Sequence, residues 1–339
     1  MTNLKVGSYL PSFGYDSDDG IDHAARLKQW CVRAEQLGFD SLWVTDHLLR
    51  AKNMYRYTWI EPLSTLALAA GLTSRVTLGP GVLLLPLRHP VMLAKEIASL
   101  QQISGGRFIL GAGTGWYPPE MFAMGTKPAH RGRRTDEVLD AVRKLLAGEP
   151  VTFEGEFFSF EDVHIEPSPV HLPVWVGGGS QVAHAESVEK PQLHPRVAKR
   201  IAAADGWFTR PSATAEQIAQ DWPLVAQAIE ANGRSTSDVS IAHGQWLYLT
   251  EEDIPRKARE LQHQMATEIL GDGRSPELLE DSYLFGTLDE VVEQCQWRAD
   301  LGVEHIIIHP YTDDPAQLEL WGSELLPRLK KMTVGPRVA

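Results

Sequence analysis

The sequence predicts an α/β fold, a (β/α)8 TIM barrel with insertions over its C-terminal mouth, in one domain spanning residues 1–339. Three observations carry this. Apolar, strand-like runs alternate with helical patterns in eight units along the chain. The runs are apolar on both faces, as strands of a parallel sheet covered by helices are. Glycines and polar residues gather just after the runs, at the end where barrel sites lie. A doubly wound open sheet is the alternative for the same alternation.

The units follow in order. Leu4–Leu10 is the first strand. Ile21, Ala24, Leu27, Cys31, Ala34 and Leu37 recur at helical spacing, and Gly38 stands where a helix C-cap glycine belongs. Ser41–His47 is the second strand, followed by a helix in "PLSTLALAAGL". Val76–Pro86 reads as one continuous apolar strand. The next helix, "PVMLAKEIASLQQIS", starts on Pro90, where a missing N–H costs nothing. The fourth strand is "RFILGAG", and Arg133–Gly148 its helix. "PVWVGGGS", "DGWFTRP", "SIAHGQWLYLT" and His305–Tyr311 are strands five to eight, each with a helix after it. Extra segments fall around Trp116–Arg131, Val151–His171 (hairpin-like), Ala183–Leu193 and Ile254–Leu284.

Composition narrows the function. A net charge of −12 argues against nucleic acid, whose phosphates call for clustered Lys and Arg. The two cysteines, Cys31 and Cys295, lie inside helical patterns and read as packed thiols, not a disulfide or zinc set. No run approaches the length of a membrane span, and the N-terminus has no signal-peptide pattern, so a cytoplasmic protein is expected. No metal site is expected. His305 and His309 share a strand face but sit too far apart to be co-ligands, and His243 reads as a core histidine.

The stretch "RFILGAGTGWYPPE" carries glycines at 111, 113 and 115. A dinucleotide loop would lead straight into a helix. Pro118 and Pro119 delay any helix here, to Pro119 or later. Two readings remain: close packing at a crowded strand end, or bare backbone laid against a flat ligand at the mouth. Other strand ends carry Asp46 and His47, Arg88 and His89, the run Gly177–Ser180, and His309. Free N–H groups in a glycine run are suited to an anion.

In this order and spacing, "AEQLGFDSLWVTDHL", "LGPGVLLLPLRHPVMLAKEIASLQQISGGRFILGAGTGW", "RGRRTDEVLDAVRKLL", "PVWVGGGS", "ADGWF" and "GTLDEVVEQC" resemble the bacterial luciferase-like superfamily. Its members are barrel enzymes that use reduced FMN or the deazaflavin coenzyme F-420. The resemblance implies roles position by position. His47 falls near the reactive centre of the flavin and is the candidate acid or base; Asp46 is the next candidate, or the group that orients His47. Gly81–Val82 falls where members often have a non-prolyl cis peptide behind the ring, and Gly111, Gly113 and Gly115 fall beside it. Gly178, Gly179 and Ser180 match the region receiving the flavin phosphate. Trp116, Tyr117, Arg88 and His309 are candidates for the substrate pocket. Arg131, Arg133 and Arg134 could reach a phosphate or a substrate carboxylate.

The first reading implied is a monooxygenase that takes reduced FMN from a separate flavin reductase and uses oxygen on a small organic substrate. The second is an F-420-dependent oxidoreductase acting on an alcohol, imine or alkene. A non-catalytic flavin-binding barrel is the third. The resemblance also implies a homodimer, with the second and third helices as its face.

Overall fold

The computed structural model describes residues 2–14, 20–51, 54–180 and 193–337. Most of the expected insertion at Ala183–Leu193 lies outside them. The strands are β1 (Lys5–Tyr9), β2 (Ser41–Val44), β3 (Thr77–Pro80), β4 (Leu83–Leu84), β5 (Leu110–Gly113), β6 (Val151–Glu154), β7 (Ser159–Val163), β8 (Val174–Gly177), β9 (Gly206–Thr209), β10 (Ser240–Leu247) and β11 (His305–Pro310). The helices are α1 (His23–Leu37), α2 (Pro62–Leu72), α3 (Pro90–Ser104), α4 (Pro118–Ala123), α5 (Arg131–Leu145), α6 (Pro195–Ala202), α7 (Ala215–Ala231), α8 (Pro255–Leu270), α9 (Pro276–Ser282), α10 (Leu288–Asp300), α11 (Pro315–Leu320) and α12 (Leu326–Leu329).

Nine strands join in the parallel order β3-β2-β1-β11-β10-β9-β8-β5-β4. The two ends of that order, β3 and β4, are halves of one interrupted strand, and a bridge between Leu78 and Phe108 closes the ring. The result is a closed eight-stranded barrel, and the open-sheet alternative falls. The continuous third strand expected over Val76–Pro86 is corrected: it breaks after Pro80, and Leu85–Leu87 is a 3-10 turn. Apolarity alone does not show such a break, because both halves stay buried.

Local signals set the helix ends. Asp22 accepts from the Ala25 N–H at the start of α1, and Gly38 closes it with φ +98°. Thr214 with Gln217, and Thr287 with Glu290, form capping boxes on α7 and α10. Helix α4 starts on Pro118, one residue earlier than expected. The segment Ile254–Leu284, read as an insertion, folds into α8 and α9. The Val151–His171 excursion is the antiparallel pair β6–β7. Glu137 of α5 pins its turn by accepting the N–H groups of Glu156, Phe157 and Phe158.

Inside the ring lie Tyr9, Trp43, Trp175, Phe208 and Ile307. Glycines make room for these rings. A Cβ at Gly206 would stand 2.4 Å from Trp175, and one at Gly79 2.7 Å from Trp43. A separate aromatic cluster (Phe13, Trp59, Trp246, Tyr283, Phe285 and Tyr311) caps the carboxyl rim together with residues of α8 and α9. Among the described residues no helix is long and apolar enough to cross a membrane.

Candidate active site

His47 follows β2 at the carboxyl rim. Its Nδ1 lies 3.1 Å from Oε1 of Glu120, and the two side chains are 6% and 2% exposed. The same carboxylate oxygen accepts the Leu49 N–H, so Glu120 also holds the loop that carries the histidine. A carboxylate facing Nδ1 favours the tautomer that carries its N–H there and leaves Nε2 as the acceptor. Tyr55, Trp59 and Trp116 surround the imidazole, with ring centroids 5.3, 5.4 and 5.6 Å away. Tyr117 leans on Trp116.

The orienting group expected next to His47 was Asp46. The structure corrects this. Asp46 Oδ2 instead accepts the Leu84 N–H at 2.8 Å and an Arg88 N–H at 3.3 Å. Burial pushes the Asp46 carboxyl up from its ordinary range, against the pull of Arg88. Arg88 is shared with Glu61 and braces the rim. The three arginines considered for a ligand are held by protein groups. Arg131 donates to the Pro128 carbonyl, Arg133 pairs with Glu156, and Arg134 donates to the Pro86 carbonyl over Phe158.

The Gly81–Val82 peptide is cis. The Tyr9 hydroxyl donates to the Gly81 carbonyl at 2.8 Å. The glycines at 111 and 113 have a reason inside the protein. A Cβ at Gly111 would stand 2.0 Å from the Pro80 carbonyl oxygen, and one at Gly113 2.2 Å from Val82. Gly115 has φ +68° and packs on Met121 and Leu84. These glycines therefore seat Val82 and its neighbours. Close packing by itself requires Gly111 and Gly113.

The glycine run after β8 is also corrected. The N–H groups of Gly178 and Ser180 are not free as expected. The Gly178 N–H donates to the Phe208 carbonyl at 3.1 Å. Ser180 donates its N–H to Asp221 Oδ2 at 2.6 Å and its hydroxyl to Asp221 Oδ1. Asp221, on α7, is 3% exposed. Beside it, Arg210 follows β9. Its side chain makes one hydrogen bond among the described residues, a long one from Nη1 to the Ser180 carbonyl at 3.4 Å, and no ion pair there. Burial holds the Arg210 guanidinium below its ordinary pKa.

His309, one of the residues expected at the substrate pocket, is buried at the floor of the rim. It is stacked between Tyr9 and Trp246, and its Nε2 lies 3.0 Å from the Thr45 hydroxyl. His305 sits lower, against the Ser41 hydroxyl. Burial pushes both histidines down to about 3, so both are neutral. His243 is fully buried on Gln245. Among the described residues no three metal-ligating side chains come together.

Glu120, Asp221 and Arg210 were not found from the sequence. Glu120 reads as an ordinary first-turn acid after two prolines, and it meets His47 across 73 positions.

Residues 4–305 match the family model described as luciferase-like monooxygenase. A 4-hydroxyprotoasukamycin monooxygenase of Streptomyces nodosus subsp. asukaensis is 31% identical over 242 residues, 69% of this chain and 62% of that relative's length. An F420-dependent glucose-6-phosphate dehydrogenase of Intrasporangium calvum is 27% identical over 96% of this chain and 99% of its own. The crystal structure of a monooxygenase from Streptomyces bottropensis superposes with a TM-score of 0.75 at 25% identity, covering 96% of this chain and 99% of that one. The relatives are oxidoreductases, and so is this chain. The match over nearly the whole length, on a closed barrel with its polar groups at the carboxyl rim, makes this chain a member of the luciferase-like monooxygenase family.

Proposed function

We propose that the enzyme transfers hydride with coenzyme F-420 at the carboxyl rim, on a substrate carbon that bears a hydroxyl group. The buried His47–Glu120 pair carries the reading. Oxidising an alcohol removes a proton from oxygen as hydride leaves carbon, and in this reading His47 Nε2 takes that proton. Glu120 stabilises the imidazolium that results, and the surrounding aromatic rings keep water away. Coenzyme F-420, when bound, is the group that accepts or returns the hydride.

The residues present fit a flat polar ring. Val82 offers a partly exposed apolar surface. Around the same rim, Trp59 Nε1, the Ser12 hydroxyl and the Tyr311 hydroxyl are buried without a partner among the described residues. Such atoms cost free energy until something pairs with them. Arg210 suits an anionic group on the cofactor or the substrate. The whole-length likeness to an F420-dependent dehydrogenase supports the same reading.

The Streptomyces nodosus relative favours a second reading, a monooxygenase using reduced FMN from a separate reductase, with His47 as proton donor. Anaerobic mixing with F-420 and a panel of alcohols separates the two. Bleaching of the F-420 absorbance, lost in His47→Ala, is the expected result. No bleaching, with oxygenation of substrate by reduced FMN in air, would overturn the hydride reading in favour of the second.

A further inference from the structure

We infer that Asp221 is an internal stand-in for a phosphate: it occupies the anion seat of the Ser180 loop, and a phosphate-bearing ligand must displace it. The inference rests on the rim being the cofactor's seat, and it concerns affinity, not chemistry.

The geometry is that of an anion site already filled. Ser180 offers two donors from one residue, its N–H and its hydroxyl. Both go to the two oxygens of a single carboxylate. That carboxylate arrives from α7, 41 positions away, and is 3% exposed. A dianion would use the same donors in the same way. Gly179 lies against both the carboxylate and the aliphatic stem of Arg210. A Cβ there would stand 3.3 Å from Asp221 Oδ2 and 3.4 Å from Arg210 Cγ. The Arg210 guanidinium has no carboxylate in contact among the described residues. As it stands the loop holds one negative and one positive charge. A phosphate added beside Asp221 would meet a like charge at close range, which costs several-fold to many-fold in affinity. With Asp221 neutral, the same seat keeps two donors and an arginine, and its balance turns positive.

Asp221 is therefore a specificity-determining residue. It keeps free phosphate out, and it admits phosphate only on a ligand whose other contacts outweigh the displaced carboxylate.

The test begins with inorganic phosphate alone, read by thermal unfolding against chloride of equal ionic strength. Wild type is expected to show little phosphate-dependent stabilisation. Asp221→Asn is expected to bind phosphate at least about tenfold tighter and to unfold at a higher temperature as phosphate rises. Adding Ser180→Ala to Asp221→Asn should remove that gain. If Asp221→Asn does not fold, Asp221→Ser keeps an uncharged acceptor for Ser180 and is read in the same way. A phosphate response equal to wild type in a folded neutral variant, or a gain that survives Ser180→Ala, would overturn the inference.

A second arm compares FMN with riboflavin by fluorescence. The neutral variant should gain affinity for FMN and not for riboflavin, and an equal gain for both would overturn the inference. A phosphate arm that succeeds while neither FMN nor F-420 binds any variant would instead overturn the cofactor reading.

Discussion

The Nδ1 of His47 and the Oε1 of Glu120 lie 3.1 Å apart at the carboxyl rim, both side chains almost wholly buried. A neutral imidazole needs only an uncharged acceptor for its N–H. An imidazole that takes up a proton during turnover needs a charged one, because a buried charge left unpaired costs several kcal/mol.

Removing either member should therefore slow catalysis more than it weakens binding. His47→Ala is expected to lower kcat by roughly 10²–10⁴-fold. Glu120→Gln keeps a hydrogen-bonding oxygen and loses the charge, so a smaller fall of about 10–100-fold is expected. Steady-state kinetics check this. A loss confined to KM would show that the pair only binds substrate.

The barrel interior should be sensitive to single methyl groups. Gly111→Ala places a Cβ on the Pro80 carbonyl, which belongs to the backbone and cannot rotate away. Gly113→Ala meets a Val82 methyl, which has somewhat more room to give. Losses of about 1–3 kcal/mol are expected, larger for Gly111. Urea unfolding measures both. A neutral Gly111→Ala would mean that the closure at β3 and β5 is looser than described.

Stability should fall in mild acid, for a reason that can be assigned. His305 and His309 are held down to about 3 by burial, while unfolded histidines titrate near about 6.5. Between those values the unfolded chain binds the extra protons, so stability is full above the unfolded value and is lost as pH falls. Each histidine contributes at most about 1.4 kcal/mol per pH unit. His305→Asn should therefore show a shallower drop in unfolding free energy from pH 6 to pH 5 than the parent. Parallel pH profiles would contradict this.

We also propose that α2 and α3 supply a pairing face between two copies of the chain. Met92 and Ile103 of α3 are 61% and 58% exposed, more than apolar side chains on a closed surface need be. Sedimentation of the wild type should show a dimer, and Met92→Asp with Ile103→Asp a monomer. A wild type that sediments as a monomer would remove the proposal.

The barrel was legible in the sequence because its strands are buried on both sides and its helices carry caps and periodic apolar faces. Its interruptions were not. The third strand breaks between Pro80 and Leu83, inside a run with no change of polarity. Helices α8 and α9 lay unread in a polar segment, since half of each faces solvent.

For the site, strand ends pointed to His47 and Ser180 because position in a barrel decides which residues meet the mouth, whereas Gly81 came only through the family resemblance. Their partners come from elsewhere in the chain. Glu120 and Asp221 sit on helices, where a carboxylate normally faces water, and only the folded chain shows each buried against a donor. Gly111 and Gly113 are also required by the protein's own packing, since a Cβ at either would meet protein atoms.

The most direct measurement of the central claim is an anaerobic equilibrium titration of the purified protein with coenzyme F-420, repeated with FMN. One F-420 bound per chain, with its fluorescence changed and its affinity altered by Val82→Ala, is the result the account expects. Binding of neither F-420 nor FMN, or F-420 binding indifferent to Val82, would contradict a cofactor seat on the barrel rim.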